Sequence, residues 1–173
     1  MSILMISGSL RSDSLNTALL RAAAKLLPAG STAQLAAGLA DLPHYNEELD
    51  TAQPPAPVAA LRQAVASADA VVIATPEYNG TTSGALKDAL DWCSRPYGAG
   101  ALAGKKVAVL AASPSPNAAA WAREEVLKAL TVIGAEAVPN SVGIGAANTV
   151  VVGDEITDPA VRGQVADLLA QLA

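Results

Sequence analysis

The chain is expected to fold as an α/β protein: a doubly wound sheet of five parallel strands, in the order 2-1-3-4-5, with helices on both faces. Three features predict the doubly wound parallel sheet. Short apolar runs alternate with longer stretches of helical periodicity along the chain. Runs such as Ile3-Leu4-Met5-Ile6 and Ala70-Val71-Val72-Ile73-Ala74 are apolar at consecutive positions, as strands covered on both faces are. These two runs lead into polar loops rich in Gly, Pro or hydroxyl residues, and in open parallel sheets ligands bind beyond the carboxyl ends of the strands.

The first strand is Ile3 to Ile6, ended by Gly8. From Leu15 the apolar residues Leu15, Leu19, Ala22 and Leu26 step by four, three and four, the stripe of a helix lying on a sheet, and Pro28 and Gly30 stop it. A second strand is expected over Thr32 to Leu39, then a long surface loop rich in Pro, Glu and Asp from Asp41 to Pro57. A helix from Val58 to Ser67 leads into the third strand, Ala70 to Ala74, which Thr75-Pro76 halts. Leu86, Ala89, Leu90 and Cys93 mark the next helix, with Lys87 and Asp91 four apart on its outer face. Val107 to Leu110 is the fourth strand, Ala118 to Ile133 a helix and Ala135 to Ile144 the fifth strand. Asp158-Pro159 has the cap-then-proline order of a helix start, and Val161, Val165, Leu168 and Leu172 face inward. No repeat or composition break interrupts this pattern, so residues 1–173 are expected to form one domain, a size that buries roughly 70% of the unfolded surface.

Composition narrows the partners. The formal charge is −5 and the eleven Lys and Arg are scattered, which argues against nucleic acid, whose phosphates require clustered cations. No window approaches the roughly 18 to 20 apolar residues of a membrane span. Residues 1–7 lack the charged start and apolar block of a secretory signal, so a cytoplasmic protein is expected. One cysteine and one histidine exclude an internal disulfide and a usual zinc site. A small-molecule ligand is the expected partner.

For the strand order above, the ligand crevice lies between the first and third strands. The loop after the first is Gly8-Ser9-Leu10-Arg11-Ser12-Asp13-Ser14-Leu15-Asn16. Its hydroxyls, amide, fixed positive charge and helix start together suit a phosphate monoester. A helix terminus favours an anion by roughly 0.3 to 2 kcal/mol, whereas each hydrogen bond to a charged group contributes roughly 1.5 to 3 kcal/mol, so converging donors outweigh the dipole. Asp13 would repel a phosphate and is expected to turn to solvent. Helix capping alone accounts for Ser12, Asp13 and Ser14 but leaves Arg11 without a role. The loop lacks the G-x-x-x-x-G-K-[ST] and G-x-G-x-x-G patterns, and Gly143-Ile144-Gly145 precedes a Thr-Val run rather than a helix, which excludes a dinucleotide fingerprint there. After the third strand comes Thr75-Pro76-Glu77-Tyr78-Asn79-Gly80-Thr81-Thr82-Ser83-Gly84.

These two loops, with the Leu-Lys-x-Ala-Leu-Asp-Trp helix at 86–92, resemble the NADPH-dependent FMN reductase family of flavodoxin-like proteins, which includes quinone, chromate and azo-dye reductases. The matching segments are Gly-Ser-Leu-Arg-x-x-Ser-x-Asn at 8–16 and Pro-Glu-Tyr-Asn-Gly at 76–80, supported by Ser94-Arg95-Pro96 and Gly104-Lys105. The resemblance implies bound FMN, with NADPH or NADH as co-substrate. It assigns Ser9, Leu10, Arg11, Ser14, Leu15 and Asn16 to the phosphate side. Pro76, Glu77, Tyr78, Asn79 and Gly80 go to the edge of the isoalloxazine ring, where backbone N–H groups stabilise the reduced flavin. Ser113 fits the family's third loop, but Pro114, Pro116 and Ala118 to Ala120 stand where glycines are usual, and proline has no N–H to donate.

The implied activity is hydride transfer from NAD(P)H through FMN to a quinone or other small acceptor, with no residue indispensable as acid or base and with a homodimer or homotetramer as the assembly. A flavin-binding electron carrier without turnover is the alternative, prompted by the proline-rich third loop; a flavin-free nucleotide enzyme would need a carboxylate nucleophile. Other residues have plainer expected roles. His44 is expected to be solvated, Tyr45 to reach a neighbouring subunit, and Cys93 to be a core residue without chemistry. Trp92 and Tyr97 are expected in the acceptor pocket or an interface, and Glu77 in a structural pairing with an arginine such as Arg95.

Overall fold

The computed structural model describes residues 1–173. Five strands, β1 (Ser2–Ser7), β2 (Thr32–Leu35), β3 (Ala70–Ala74), β4 (Lys106–Ala112) and β5 (Glu136–Ile144), form one sheet in the order β2-β1-β3-β4-β5. All four pairings are parallel, with Met5 opposite Leu35 on one side and Val72 on the other. The crossovers are α1 (Leu15–Ala24), α2 (Ala56–Ser67), α3 (Gly84–Cys93) and α4 (Ala120–Ile133). A single turn α5 (Ala147–Val150), a hairpin of β6 (Val151–Val152) and β7 (Glu155–Ile156), and α6 (Pro159–Ala170) complete the chain.

The two-residue period of the strands divides the core between the two faces. Ile3, Met5, Ala70 and Val72 pack with Leu19 and Leu20 of α1 and Val165 and Leu168 of α6. Leu4, Ile6, Val71 and Ile73 point the other way, towards Leu61 and Val65 of α2, Leu86 and Leu90 of α3, and Val126 and Leu130 of α4. β3 is buried at every position, which is why it reads as an unbroken apolar run. No helix is long and apolar enough to cross a membrane.

Several boundaries differ from expectation. β2 stops at Leu35 rather than Leu39, because Gly38 takes a left-handed φ of 78° and starts a 3-10 turn at Leu39–Asp41 that puts Leu39 into the α2–α3 core. The hairpin β6–β7 was not expected; Gly153 with φ 58° lies in its turn, and Ile156 is buried against the α1 and α6 side.

The 41–57 segment is the long surface loop expected, and part of it is tied down as a cover. Asp50 pairs with Arg62 at 2.9 Å, and Pro43 accepts the Trp92 indole N–H at 2.8 Å. The Tyr45 ring meets Trp92 edge-on at 4.9 Å, and its hydroxyl accepts a hydrogen bond from Arg95 Nε at 3.2 Å. Trp92 is therefore fully buried and lines neither an acceptor pocket nor an exposed interface, and Tyr45 is engaged within its own chain. His44 is solvent-exposed, as expected, with Nδ1 2.9 Å from Asp88 Oδ2. Lys87 and Asp91 form the expected exposed pair at 2.7 Å.

α4 begins at Ala120 rather than Ala118 because Ala118 and Ala119 take left-handed φ values of 52° and 54°. Arg123 Nε donates to the Ala118 carbonyl at 3.2 Å and its Nη1 to Ser141 Oγ at 2.8 Å, tying this corner to β5. Gly143 makes the approach possible, since a Cβ there would lie 2.4 Å from the Ala118 oxygen. Two opposite outcomes are expected in urea unfolding. Ala118→Gly relieves a left-handed alanine and stabilises by about 0.5–1 kcal/mol, whereas Gly143→Ala destabilises by about 1–3 kcal/mol through overpacking against backbone.

Candidate functional site

Three strand ends converge on one crevice. Ser9, Arg11, Ser14, Leu15 and Asn16 wall it from the β1 loop, Pro76, Glu77 and Tyr78 from the β3 loop, and Ala112, Ser113 and Pro114 from the end of β4. Nine of the twelve residues singled out in the sequence line it. Leu10 is exposed, and Asn79 and Gly80 form the tip of the β3 loop beyond its wall.

The β1 loop is set by a close approach. Gly8 continues the sheet through its N–H to the Ala74 carbonyl at 2.8 Å, and a Cβ on it would meet Pro76 Cδ at 2.9 Å and Leu86 at 3.1 Å. Ser83 Oγ, which caps α3 by accepting from the Leu86 N–H, donates to the Gly8 carbonyl at 2.5 Å, binding the β1 and β3 loops together. Ser14 is the N-cap of α1, its Oγ accepting from Thr17 N–H at 3.1 Å with its own proton free to donate. The backbone N–H groups of residues 10 to 16 have no partner within the chain, and Arg11 is exposed with no ion pair. Asp13 is exposed, as its charge requires.

Asn16 differs from a simple ligand donor. Its Nδ2 donates to the Ala112 carbonyl at 3.0 Å and its Oδ1 accepts the Ala112 N–H at 2.9 Å, so the buried amide extends the ladder of β4 and retains one N–H.

The β3 loop is a miniature hairpin. Tyr78 and Thr81 exchange both backbone hydrogen bonds, at 2.9 and 3.1 Å, around Asn79 and Gly80, whose φ values of 54° and 76° match the Asn-Gly preference of a type I′ turn. The N–H groups of Asn79 and Gly80 have no partner in the chain. Two carboxylates lock this hairpin to α4. Glu77 accepts from the Ala122 N–H at 3.0 Å and from Asn117 Nδ2 at 3.3 Å, capping a helix whose own N-cap, Ala119, has no side chain to do so. The structural role expected of Glu77 is present, but its partner is the α4 terminus; Arg95 instead donates to Tyr45. In return Glu125 of α4 accepts from the Thr81 hydroxyl and, at 2.9 Å, from the Thr82 N–H. The Thr81 hydrogen bond foremost, then that of Thr82, holds the Glu125 carboxyl below its ordinary value.

The β4 loop contrasts with both. Ser113 N–H donates to Ile144, Ser115 N–H to Ser113 Oγ, Asn117 N–H to Ser115 Oγ and Ala118 N–H to the Ser115 carbonyl, while Pro114 and Pro116 have none. This loop offers no free backbone donor from 113 to 118.

The sequence did not single out Glu125, Asn117 or Arg123; the partners of the first two are 40 or more residues away, and Arg123 joins Ala118 to Ser141. Nor did it single out Trp121, 60% exposed on the first turn of α4, with Cε3 3.5 Å from where a Gly80 Cβ would sit. Tyr97, 80% exposed, is not part of the crevice wall. Cys93 is buried, which pushes its thiol up to about 12, and has no chemistry.

Residues 1–149 match the family described as NADPH-dependent FMN reductase. The chain belongs to that family. Over 132 residues it is 38% identical to a quinone reductase of Pseudomonas putida, covering 76% of this chain and 70% of the relative. It is 44% identical over 111 residues to an NAD(P)H-dependent FMN reductase of Pseudomonas aeruginosa, covering 64% of this chain and 59% of that one. Among solved structures it is similar to FerB, a flavoenzyme NAD(P)H:(acceptor) oxidoreductase from Paracoccus denitrificans. There the TM-score is 0.83 and the identity 32%, over 98% of this chain and 97% of that one. The flavodoxin-like fold and an oxidoreductase using FMN with NAD(P)H as co-substrate follow from this membership. The crevice fits a mononucleotide: unpaired N–H groups and a free guanidinium stand at one loop, and unpaired turn N–H groups at the other.

Two outcomes test this geometry. Asn16→Ala leaves the buried Ala112 N–H and carbonyl unpaired and is expected to destabilise by about 1–3 kcal/mol in urea melts. Because the Glu125 value is lowered on folding, its tether is complete above the ordinary glutamate value of about 4.3 and is lost as pH falls through the lower folded value. Amide exchange at Thr82, corrected for intrinsic rate, should be flat with pH above that range and rise below it.

Proposed function

We propose that residues 1–173 form one FMN-binding domain that takes hydride from NADPH or NADH and reduces a quinone or another small acceptor. The observation that carries the reading is the uneven supply of donors: free N–H groups throughout 10–16, none from 113 to 118. A phosphate dianion needs several donors at once, so its place is the β1 loop, with the Ser14 hydroxyl, Ser9, the Arg11 guanidinium and the N–H groups of Leu10 and Leu15 around it. Asn16 positions that loop against β4 and supplies one N–H. Pro76 to Gly80 take the ring edge, with Ser113 across the crevice.

FMN, once held there, would supply the two-electron chemistry that links NAD(P)H to a small acceptor. The chain's part is to bind and orient. Tyr78, exposed on the crevice wall, and Trp121, exposed beside Gly80, offer flat apolar surface for a planar acceptor. The Glu77 and Glu125 carboxylates are each held by two hydrogen bonds to their partners, so neither is placed as a proton shuttle. Exposed Tyr97, Trp121 and Val132 support a homodimer or homotetramer.

The absorbance spectrum of the purified protein, or of protein given FMN, tests the reading: flavin bands bleached by NAD(P)H and restored by a quinone are expected. A protein that binds FMN but is not bleached would instead be an electron carrier. Arg11→Ala removes one charged hydrogen-bonding group, about 1.5–3 kcal/mol, and should weaken FMN binding roughly 10- to 100-fold by fluorescence titration.

A further inference from the structure

Glu125 stands outside the crevice wall, in the second turn of α4, yet its Oε2 gathers two donors from the segment just after the Asn79–Gly80 turn. Otherwise that segment is anchored to the body of the protein by the Thr75–Thr82 hydroxyl pair at 2.7 Å and by the buried Ser83 cap. Tyr78, Asn79, Gly80 and Thr81 are all exposed, so burial does not hold the turn. α4 itself has no need of Glu125: none of its backbone hydrogen bonds uses that side chain, and alanine is the stronger helix former. An ionised acceptor makes hydrogen bonds roughly twice as strong as a neutral one, and the nearby Lys87 and Lys128 charges favour ionisation.

We infer that Glu125 is a positioning residue: it fixes the Asn79–Gly80 turn, and thereby the two unpaired N–H groups that stabilise the reduced ring. The inference rests on the FMN reading above. Positioning and through-space charge act in opposite directions here. A carboxylate close to the ring disfavours the electron-rich reduced form, so loss of its charge alone raises the potential of the bound flavin. Loss of the turn's position withdraws donors from the reduced form and lowers it.

The test compares wild type, Glu125→Ala and Glu125→Gln. Replacing a half-exposed side chain on a helix leaves the fold intact in both variants. Gln keeps an oxygen for Thr82 but loses the charge; Ala loses both. For the Ala variant, the ratio of reduced to oxidised FMN affinity is expected to fall about tenfold, a shift of about −30 mV for a two-electron couple. The Gln variant should stay within about threefold of wild type. In FMN-free protein, amide exchange at Thr82 should quicken about tenfold or more in the Ala variant and much less in the Gln variant.

An equal upward shift of potential in both variants would mean that charge acts and position does not. An unchanged ratio in the Ala variant, or unchanged Thr82 exchange, also overturns the inference. Wild-type protein that binds no FMN overturns the FMN reading and the ring role with it, while the exchange measurement still decides whether Glu125 holds the turn.

Discussion

The site depends on a single side-chain amide doing the work of a strand. Asn16, in the first turn of α1, pairs both its polar ends with the backbone of Ala112, the last residue of β4, at a separation of 96 residues. The pair is buried, so any shift of α1 relative to β4 would leave a donor and an acceptor unpaired, at roughly 1–3 kcal/mol each. In the sheet β3 lies between β1 and β4, and Gly8 leaves no room for slack against Pro76 and Leu86. The mouth of the crevice is therefore fixed before any ligand arrives.

Three loops meet there, and each is shaped by a different physical device. The β1 loop has no internal hydrogen bonds over residues 10 to 16, which leaves its N–H groups for an anion. The β3 loop satisfies itself as a hairpin but keeps the two N–H groups of its turn. The β4 loop consumes every backbone donor it has between 113 and 118. A nucleotide with one highly charged end and one ring end, neutral until reduced, matches that gradient, with charge at the loop richest in donors. Two carboxylates, one on each side of the β3 loop and α4, link that loop to a helix.

Much of this was legible in the sequence because it is local. The strand β3 is five consecutive apolar residues, the anion loop is a cluster of donors at a helix start, and Asn79-Gly80 is a turn dipeptide. What stayed hidden is what acts at a distance. Glu125 and Thr82 are 43 residues apart, and a glutamate on a polar helix face carries no sign of such a partner. Trp92 looked like a surface aromatic because its cover, the acidic segment around Pro43 and Tyr45, reads as solvated by composition alone. The pairing of Asn16 with Ala112 gave no sign in the sequence, because a side-chain amide that completes a sheet has the same residue type as one that binds phosphate.

The departure at 113–120 has a physical reading of its own. Ala118 and Ala119 hold the left-handed conformation that glycine adopts without penalty, at a cost of order 1 kcal/mol each. Arg123 and Gly143 hold the strained corner in place, and two prolines stiffen the approach to it. The outcome is a wall that contributes shape without a free backbone donor. Free backbone donors are thereby concentrated on the β1 and β3 loops, and the β4 side of the crevice is left with side-chain hydroxyls and apolar surface.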